Sequence, residues 1–335
     1  MIRRKNFYRF QTEPPTAYNA KTCRNNVMQL FRMLPRPLPA GQRTLKDRIV
    51  DLLPPRFGDQ VAIPDGLAFE RAQGLNPQQM QALNMCLACE DYTVVAGYPG
   101  TGKTSLLLVL LTALHALGKR VLLCAYTHSA LDNVIRKVQK VGPDELVNGI
   151  CRVGKTNKVH DDVKELCFPQ EWESTNAVGE FMNSKWCFAS TLLGVADEML
   201  MGMEFDVCVV DEASQASECS IIGALYRAKK FILVGDDKQL PPLVVSPLAA
   251  QHGMSKSLFE RLRIAHPDSV AELALQYRMN EDINSVPNKL FYEGKLACGT
   301  PEIAAARFEL PQAERAMQVE EKITNLKFIK IHDFQ

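Results

Sequence analysis

The stretch Gly97-Tyr98-Pro99-Gly100-Thr101-Gly102-Lys103-Thr104 fits the spacing G-x-x-x-x-G-K-[ST]. An apolar run from Tyr92 to Ala96 precedes it and another, Ser105 to Leu117, follows. Strand, glycine-rich turn and helix in that order make this a nucleoside triphosphate site rather than a chance match. The glycines let successive backbone N–H groups turn inward, Lys103 extends to the outer phosphates, and Thr104 offers its hydroxyl to Mg²⁺. The phosphates then lie at the positive end of a helix. A plain Gly-rich cap would account for Gly97 and Pro99 but not for Lys103 followed by Thr104. Residues Gly97 to Ser105 are the expected phosphate-binding segment.

The surrounding pattern agrees with that reading. From Leu75 to about Leu243, short β-rich runs (Thr93–Ala96, Val121–Ala125, Trp186–Ser190, Val207–Val210, Phe231–Val234) alternate with amphipathic helical stretches. Alternation of this kind predicts an α/β fold, a P-loop NTPase sheet of parallel strands with helices on both faces. Ligands of such sheets bind at the carboxyl ends of the strands. Residues 1–70 are punctuated by Pro14-Pro15, Pro35, Pro37, Pro39, Pro54-Pro55 and Pro64, which break up short helical stretches at Asn25–Met33 and Leu45–Leu53 and mark an accessory or linker segment. The expected division is 1–70 accessory, 71–270 first motor domain and 271–335 the start of a second, with Asn280–Val286 helical and Phe328–Ile331 strand-like.

Composition narrows the partners little. The 335 residues carry 39 Lys and Arg against 38 Asp and Glu, so any nucleic acid must be gripped by a local groove and not by global charge. No apolar run of membrane-spanning length appears, and the basic start Arg3-Arg4-Lys5 has no apolar segment behind it, so neither a membrane span nor a signal peptide is expected. The ten cysteines sit mostly in apolar segments and read as reduced core residues of an intracellular protein. Cys86 and Cys89 form a lone C-x-x-C inside a helical pattern, Gln78–Cys89, and core packing accounts for them better than a metal does.

Two further segments end predicted strands in polar groups. In Asp206-Val207-Cys208-Val209-Val210-Asp211-Glu212-Ala213-Ser214-Gln215, Asp211 is placed to hold Mg²⁺ through water and Glu212 to polarise the water that attacks the terminal phosphate. A carboxylate pair alone is often only a solvated strand end; downstream of a phosphate-binding loop it acquires a partner. No [NT]-K-x-D pattern accompanies it, which points to ATP and not GTP. In Gly235-Asp236-Asp237-Lys238-Gln239-Leu240-Pro241-Pro242, Gly235 permits a tight exit from the strand and the prolines stiffen the loop that holds the Gln239 amide. His128 is assigned no chemistry, because Glu212 already supplies a base.

The order of these motifs, together with Leu75-Asn76-Pro77-Gln78-Gln79, Tyr126 to Asn133 and Gln276-Tyr277-Arg278-Met279-Asn280, resembles superfamily 1 helicases of the branch that moves 5′ to 3′. The wording of Asp91-Tyr92-Thr93, Ala125 to Asn133 and Asn288 to Leu296 is most similar to the eukaryotic replication nuclease-helicases; the RNA helicases of the nonsense-mediated-decay type share the generic motifs. The resemblance implies that Gln79 reads adenine, that Gln239 couples phosphate to strand, and that Arg278 reaches the terminal phosphate. It also implies that Thr127, Ser129, Ser190 and Thr191 lie in segments contacting single-stranded DNA. Ser and Thr at loop starts are equally suited to capping helices. Replication and repair proteins as partners and a nuclear location follow from the resemblance alone, and oligomeric state is left open.

The resemblance covers about residues 75–296 and departs from the family in its extent. The family's remaining second-domain motifs, its nuclease module and its cysteine-bound cluster have no counterpart in the chain. Unwinding by this polypeptide alone is therefore not expected. Three readings follow: an ATPase motor segment answering to single-stranded DNA, the same motor on RNA, and a catalytically incomplete ATP-binding interaction module.

Overall fold

The computed structural model describes residues 21–28, 45–169 and 174–307. Contacts divide the chain into two units. One holds Lys103–Glu272 with the described residues before Gly97; the other combines Gly97–Gly102 with the described residues from Leu273 on.

The first unit is organised on a seven-stranded sheet in the order β3-β4-β2-β5-β6-β1-β7, formed by β1 (Tyr92–Gly97), β2 (Val121–Ala125), β3 (Ile150–Arg152), β4 (Cys187–Thr191), β5 (Phe205–Asp211), β6 (Ala228–Gly235) and β7 (Val270–Leu273). The pairs β1–β6, β2–β4, β2–β5, β3–β4 and β5–β6 are all parallel. Strands β1 and β2 are buried along their whole length, as near-continuous apolar strands are when helices cover both faces. Tyr92 and Phe231 stack across β1 and β6 with ring centroids 5.2 Å apart. All five expected strands are present: β2 has the expected bounds, and the other four are extended or shifted by one to three residues.

Strands β3 and β7 were not expected from sequence, and each hides its period behind a charge. The last residue of β3 is Arg152, wholly buried, its charge met by Asp132 at 2.8 Å. In β7, Glu272 faces out and pairs with Arg263 at 2.7 Å.

The helices follow their local signals. α1 (Pro77–Ala88) starts with a capping box in which Asn76 and Gln79 satisfy each other's backbone N–H, and Pro77 takes the first position. α2 (Lys103–Ala116) buries Leu106, Leu107, Leu110, Leu111 and Leu114 and is apolar nearly all round. α3 (His128–Val141) is amphipathic, with Leu131, Val134, Ile135 and Val138 on one buried stripe. α4 (Thr175–Ser184), α5 (Glu218–Leu225) and α6 (Leu258–Ala265) complete the labelled set in this unit. Residues 21–28 are helical, and the rest of the expected Asn25–Met33 helix lies outside the described residues; the helix at Leu45 ends at Ile49.

The second unit contains α7 (Glu281–Phe291) and the parallel pair β8 (Leu275–Gln276) and β9 (Ala297–Cys298). Tyr98, Tyr292 and Leu296 form its small core, with the two tyrosine rings 4.6 Å apart. The strand-like Phe328–Ile331 lies outside the described residues.

Seven cysteines, Cys86 and Cys89 among them, are buried, and burial pushes both of those thiols upward. Cys23, Cys219 and Cys298 are only partly buried, so the core reading fails for these three.

Candidate functional site

β5 delivers the two carboxylates. Asp211 is its last residue and is buried; Glu212 follows in the left-handed region with φ 52° and ψ 38°. A β-strand that runs straight on would carry Glu212 to the face opposite Asp211. The left-handed residue instead breaks the strand at once, a conformation that a residue other than Gly, Asn or Asp holds only when its surroundings enforce it. The enforcement is visible: the Glu212 backbone N–H donates to Asp211 Oδ1 at 3.0 Å, and Gln215 Nε2 donates to Glu212 Oε2 at 3.2 Å. Gln215 was within the quoted motif without an assigned role, and its orienting bond was not foreseen.

Burial, and then the neighbouring Glu212, push the Asp211 carboxyl up to about 6, with Lys103 and Lys137 pulling the other way. A buried carboxylate beside a second one suits a divalent cation, which would favour its ionised form. Mg²⁺ commonly takes one or two protein oxygens and fills its shell with water and phosphate, so Asp211 and the Thr104 hydroxyl form an adequate donor set. Among the described residues no group of three or more His, Cys, Asp or Glu gathers as an all-protein cage.

β6 ends beside β5 and is tied to it. The buried Asp236 receives Gln239 Nε2 on Oδ2 at 2.7 Å and Lys238 N on Oδ1 at 3.0 Å, while its own N–H donates to Ser214 Oγ at 3.2 Å. Gln239 is exposed but its amide is thereby fixed through Asp236 to the loop that follows the carboxylate pair. Gly235 has a packing reason in place of the expected turning one, since it ends β6 without a positive φ. A Cβ there would lie 3.0 Å from the Ser214 backbone N and 3.3 Å from the Phe259 ring. Asp236 and Ser214 are residues that sequence reasoning missed.

The loop Gly97–Gly102 is described with its own unit. Gly100 and Gly102 have φ of 75° and 80°. Thr101 is buried and its hydroxyl donates to Tyr98 O at 2.7 Å, closing the turn. Tyr277 N donates to Gly100 O at 2.9 Å, and a Cβ on Gly100 would lie 2.8 Å from Arg278 Cβ. Arg278 thus stands directly over the glycine-rich loop, with an exposed side chain. The wholly buried Gln276 shapes the turn that presents it: its Oε1 accepts from Arg278 N at 2.8 Å and from Met279 N at 2.7 Å, and its Nε2 donates to Met279 O at 2.6 Å. No role was foreseen for Gln276.

Gln79 is not a surface residue. It is 6% exposed, because the capping box folds its Oε1 back onto Asn76 N at 3.0 Å. Of the four expected strand-contacting residues, Thr127 and Ser129 are exposed, and Thr127 Oγ1 caps α3 by accepting from Ala130 N at 3.2 Å. Thr191 Oγ1 accepts from Gly194 N at 3.2 Å, while Ser190 is buried and its Oγ has no hydrogen-bond partner among the described residues. His128 accepts on Nδ1 from Arg152 Nη2 at 2.9 Å, and burial with the adjacent guanidinium holds its imidazole below the usual range. Its place is in the buried Arg152–Asp132 network beneath α3, in which Asp132 Oδ2 also accepts from His160 N at 2.9 Å.

The parallel sheet, the glycine-rich loop opening α2 and the carboxylate pair closing β5 define a P-loop NTPase domain of the RecA-like type. Residues 74–180 and 171–247 match a family model described as an AAA domain, and residues 254–334 match a second model of the same description. The chain belongs to this AAA-domain family and, within it, to the superfamily 1 helicases. It is 40% identical over 277 residues to the DNA replication ATP-dependent helicase/nuclease of Xenopus laevis, covering 80% of this chain and 26% of that protein. The Homo sapiens counterpart is 40% identical over 278 residues (80% and 26%), and that of Saccharomyces cerevisiae 37% over 295 (86% and 19%). The chain spans about a quarter or less of the length of these relatives. Among the described residues no helix is long and apolar enough to cross a membrane.

Proposed function

We propose that this chain is the ATP-hydrolysing motor segment of a DNA replication and repair helicase, turning over ATP with Mg²⁺ in response to single-stranded DNA. The observation that carries the reading is the left-handed Glu212 beside the buried Asp211, its carboxylate held by Gln215, which fixes the direction of the group the chemistry would use. In this reading Gly97 to Ser105 hold the phosphates, Lys103 and Thr104 set the outer phosphate and the metal, and Gln79 meets the adenine. Asp211 holds Mg²⁺ through water. Held there, the ion would offset the charge of the phosphates.

Glu212 then orients the attacking water and takes its proton, and Gln239 and Arg278 respond to the terminal phosphate. Thr127, Ser129, Ser190 and Thr191 lie in the segments offered to the strand, where hydroxyls and backbone N–H groups make sequence-independent contacts. The domain division 1–70, 71–270 and 271–335, the replication and repair partners and the nuclear location belong to the same proposal.

Calorimetric ATP titration of Lys103→Ala tests the nucleotide half: affinity should fall at least about a hundredfold, as loss of a buried charge-assisted contact implies. Wild-type affinity in that variant would remove Lys103 from the site. Parallel titration with matched DNA and RNA oligonucleotides tests the substrate half; a preference for RNA would favour the nonsense-mediated-decay type of motor and leave the ATPase reading standing.

A further inference from the structure

Cys23 and Cys219 are the two partly buried cysteines of the first unit, and the structure brings them together from distant parts of the sequence. The helix at residues 21–28 docks on α5: Asn26 Nδ2 donates to Cys219 O at 3.1 Å, and the approach is so close that a Cβ on Gly223 would lie 2.5 Å from Asn26 Oδ1. Thr22 and Asn26 are buried on the docked face, and Cys23, three residues before Asn26, shares that face. The docking sets the Cys23 thiol beside Cys219, whose Sγ meets Ser217 Oγ at 3.3 Å. No other described pair of cysteines combines mutual contact with partial exposure: Cys298 belongs to the second unit, and the remaining seven are buried.

We propose that Cys219 is a peroxide-sensitive thiolate and Cys23 its resolving thiol, so that oxidation closes a disulfide fastening the helix at residues 21–28 to α5. The electrostatics favour this division of labour. The hydrogen bond from Cys23 lowers Cys219 to about 6 against the opposing effect of burial, with Ser217 and the amides at the start of α5 adding to it, while Cys23 is pushed up. A thiolate near neutrality beside a protonated thiol is the arrangement in which attack and resolution are both fast. The Cys219 thiolate attacks one oxygen of hydrogen peroxide, breaking the O–O bond and releasing hydroxide, to give a sulfenic acid. Cys23 sulfur then attacks the sulfenic sulfur, and water leaves with the Cys23 proton. Two thiols and one peroxide become one disulfide and two waters.

The test is a non-reducing tryptic mass map of the full chain after equimolar hydrogen peroxide, followed by iodoacetamide. The expected product is the Cys23 peptide joined to the Cys219 peptide, cleaved by a phosphine reductant and missing from Cys219→Ser. In Cys23→Ser, Cys219 should stop at the sulfenic acid, trapped by dimedone. Without any variant, iodoacetamide at pH 7 should modify Cys219 at least about tenfold faster than Cys298, the third partly buried cysteine, because alkylation goes through the thiolate that Cys219 holds. Absence of the linked peptide, or alkylation of Cys298 as fast as Cys219, would overturn the proposal.

Discussion

The ends of β5 and β6 and the ends of β2 and β4 lie at the same carboxyl edge of one sheet but are built on different principles. At β5 and β6 one bond crosses between elements, Ser214 taking the Asp236 N–H, and it ties together two local bonds, in which Asp236 holds Gln239 and Gln215 holds Glu212 in a left-handed turn. At β2 and β4 the hydroxyls serve their own segments, Thr127 capping α3 and Thr191 capping the turn at Gly194. Under the proposed function the first edge activates water at a phosphate, which tolerates little displacement, and its groups are held by partners that are themselves held. A grip on a nucleic-acid backbone without regard to sequence tolerates much more, and exposed hydroxyls and amides suffice.

Three substitutions probe that contrast, beginning with the scaffold under α3. Asp132→Ala leaves the wholly buried Arg152 without its carboxylate and should destabilise the fold by about 3–5 kcal/mol, read from chemical denaturation. That effect would reach both edges through the sheet. A value near zero would mean that Arg152 finds another partner and that the network is dispensable.

Ser214→Ala separates the edges more finely. It removes the acceptor of the Asp236 N–H and should slow ATP turnover about tenfold, equivalent to about 1.4 kcal/mol, with ATP affinity nearly unchanged. Equal loss in affinity and turnover would make Ser214 a matter of general stability. Thr127→Ala should have the smallest effect, about 1 kcal/mol or less of stability from the lost cap and less than about fivefold in affinity for single-stranded DNA. A hundredfold loss of strand affinity in Thr127→Ala would show that the hydroxyl is a principal ligand and that the contrast is false.

The same contrast governs what the sequence discloses. The glycine-rich loop and the Asp211-Glu212 pair are legible because their chemistry demands fixed residue types at fixed spacing. The five inner strands are legible because burial on both faces makes them continuously apolar. Strand β3 escapes notice since its Arg152 is buried only by virtue of Asp132, twenty residues earlier. Glu212's backbone carries no composition signal, because glutamate has no preference for left-handed geometry. Ser214–Asp236 and Gln276–Arg278 are pairings made by folding: the first joins two strand ends, and the second wraps a turn with a glutamine that reads from sequence as one more polar residue. The Cys23 and Cys219 thiols, read as core residues, meet only because residues 21–28 dock on α5.

The most direct test of the account is steady-state ATP turnover by the purified chain, with and without a single-stranded DNA oligonucleotide, in wild type and in Glu212→Gln. The account predicts turnover stimulated by DNA and reduced by a factor of about 10²–10⁴ in the variant, the range of a lost general base, with ATP binding retained. Turnover in Glu212→Gln equal to wild type would contradict it, since the strained glutamate would then have no part in the chemistry.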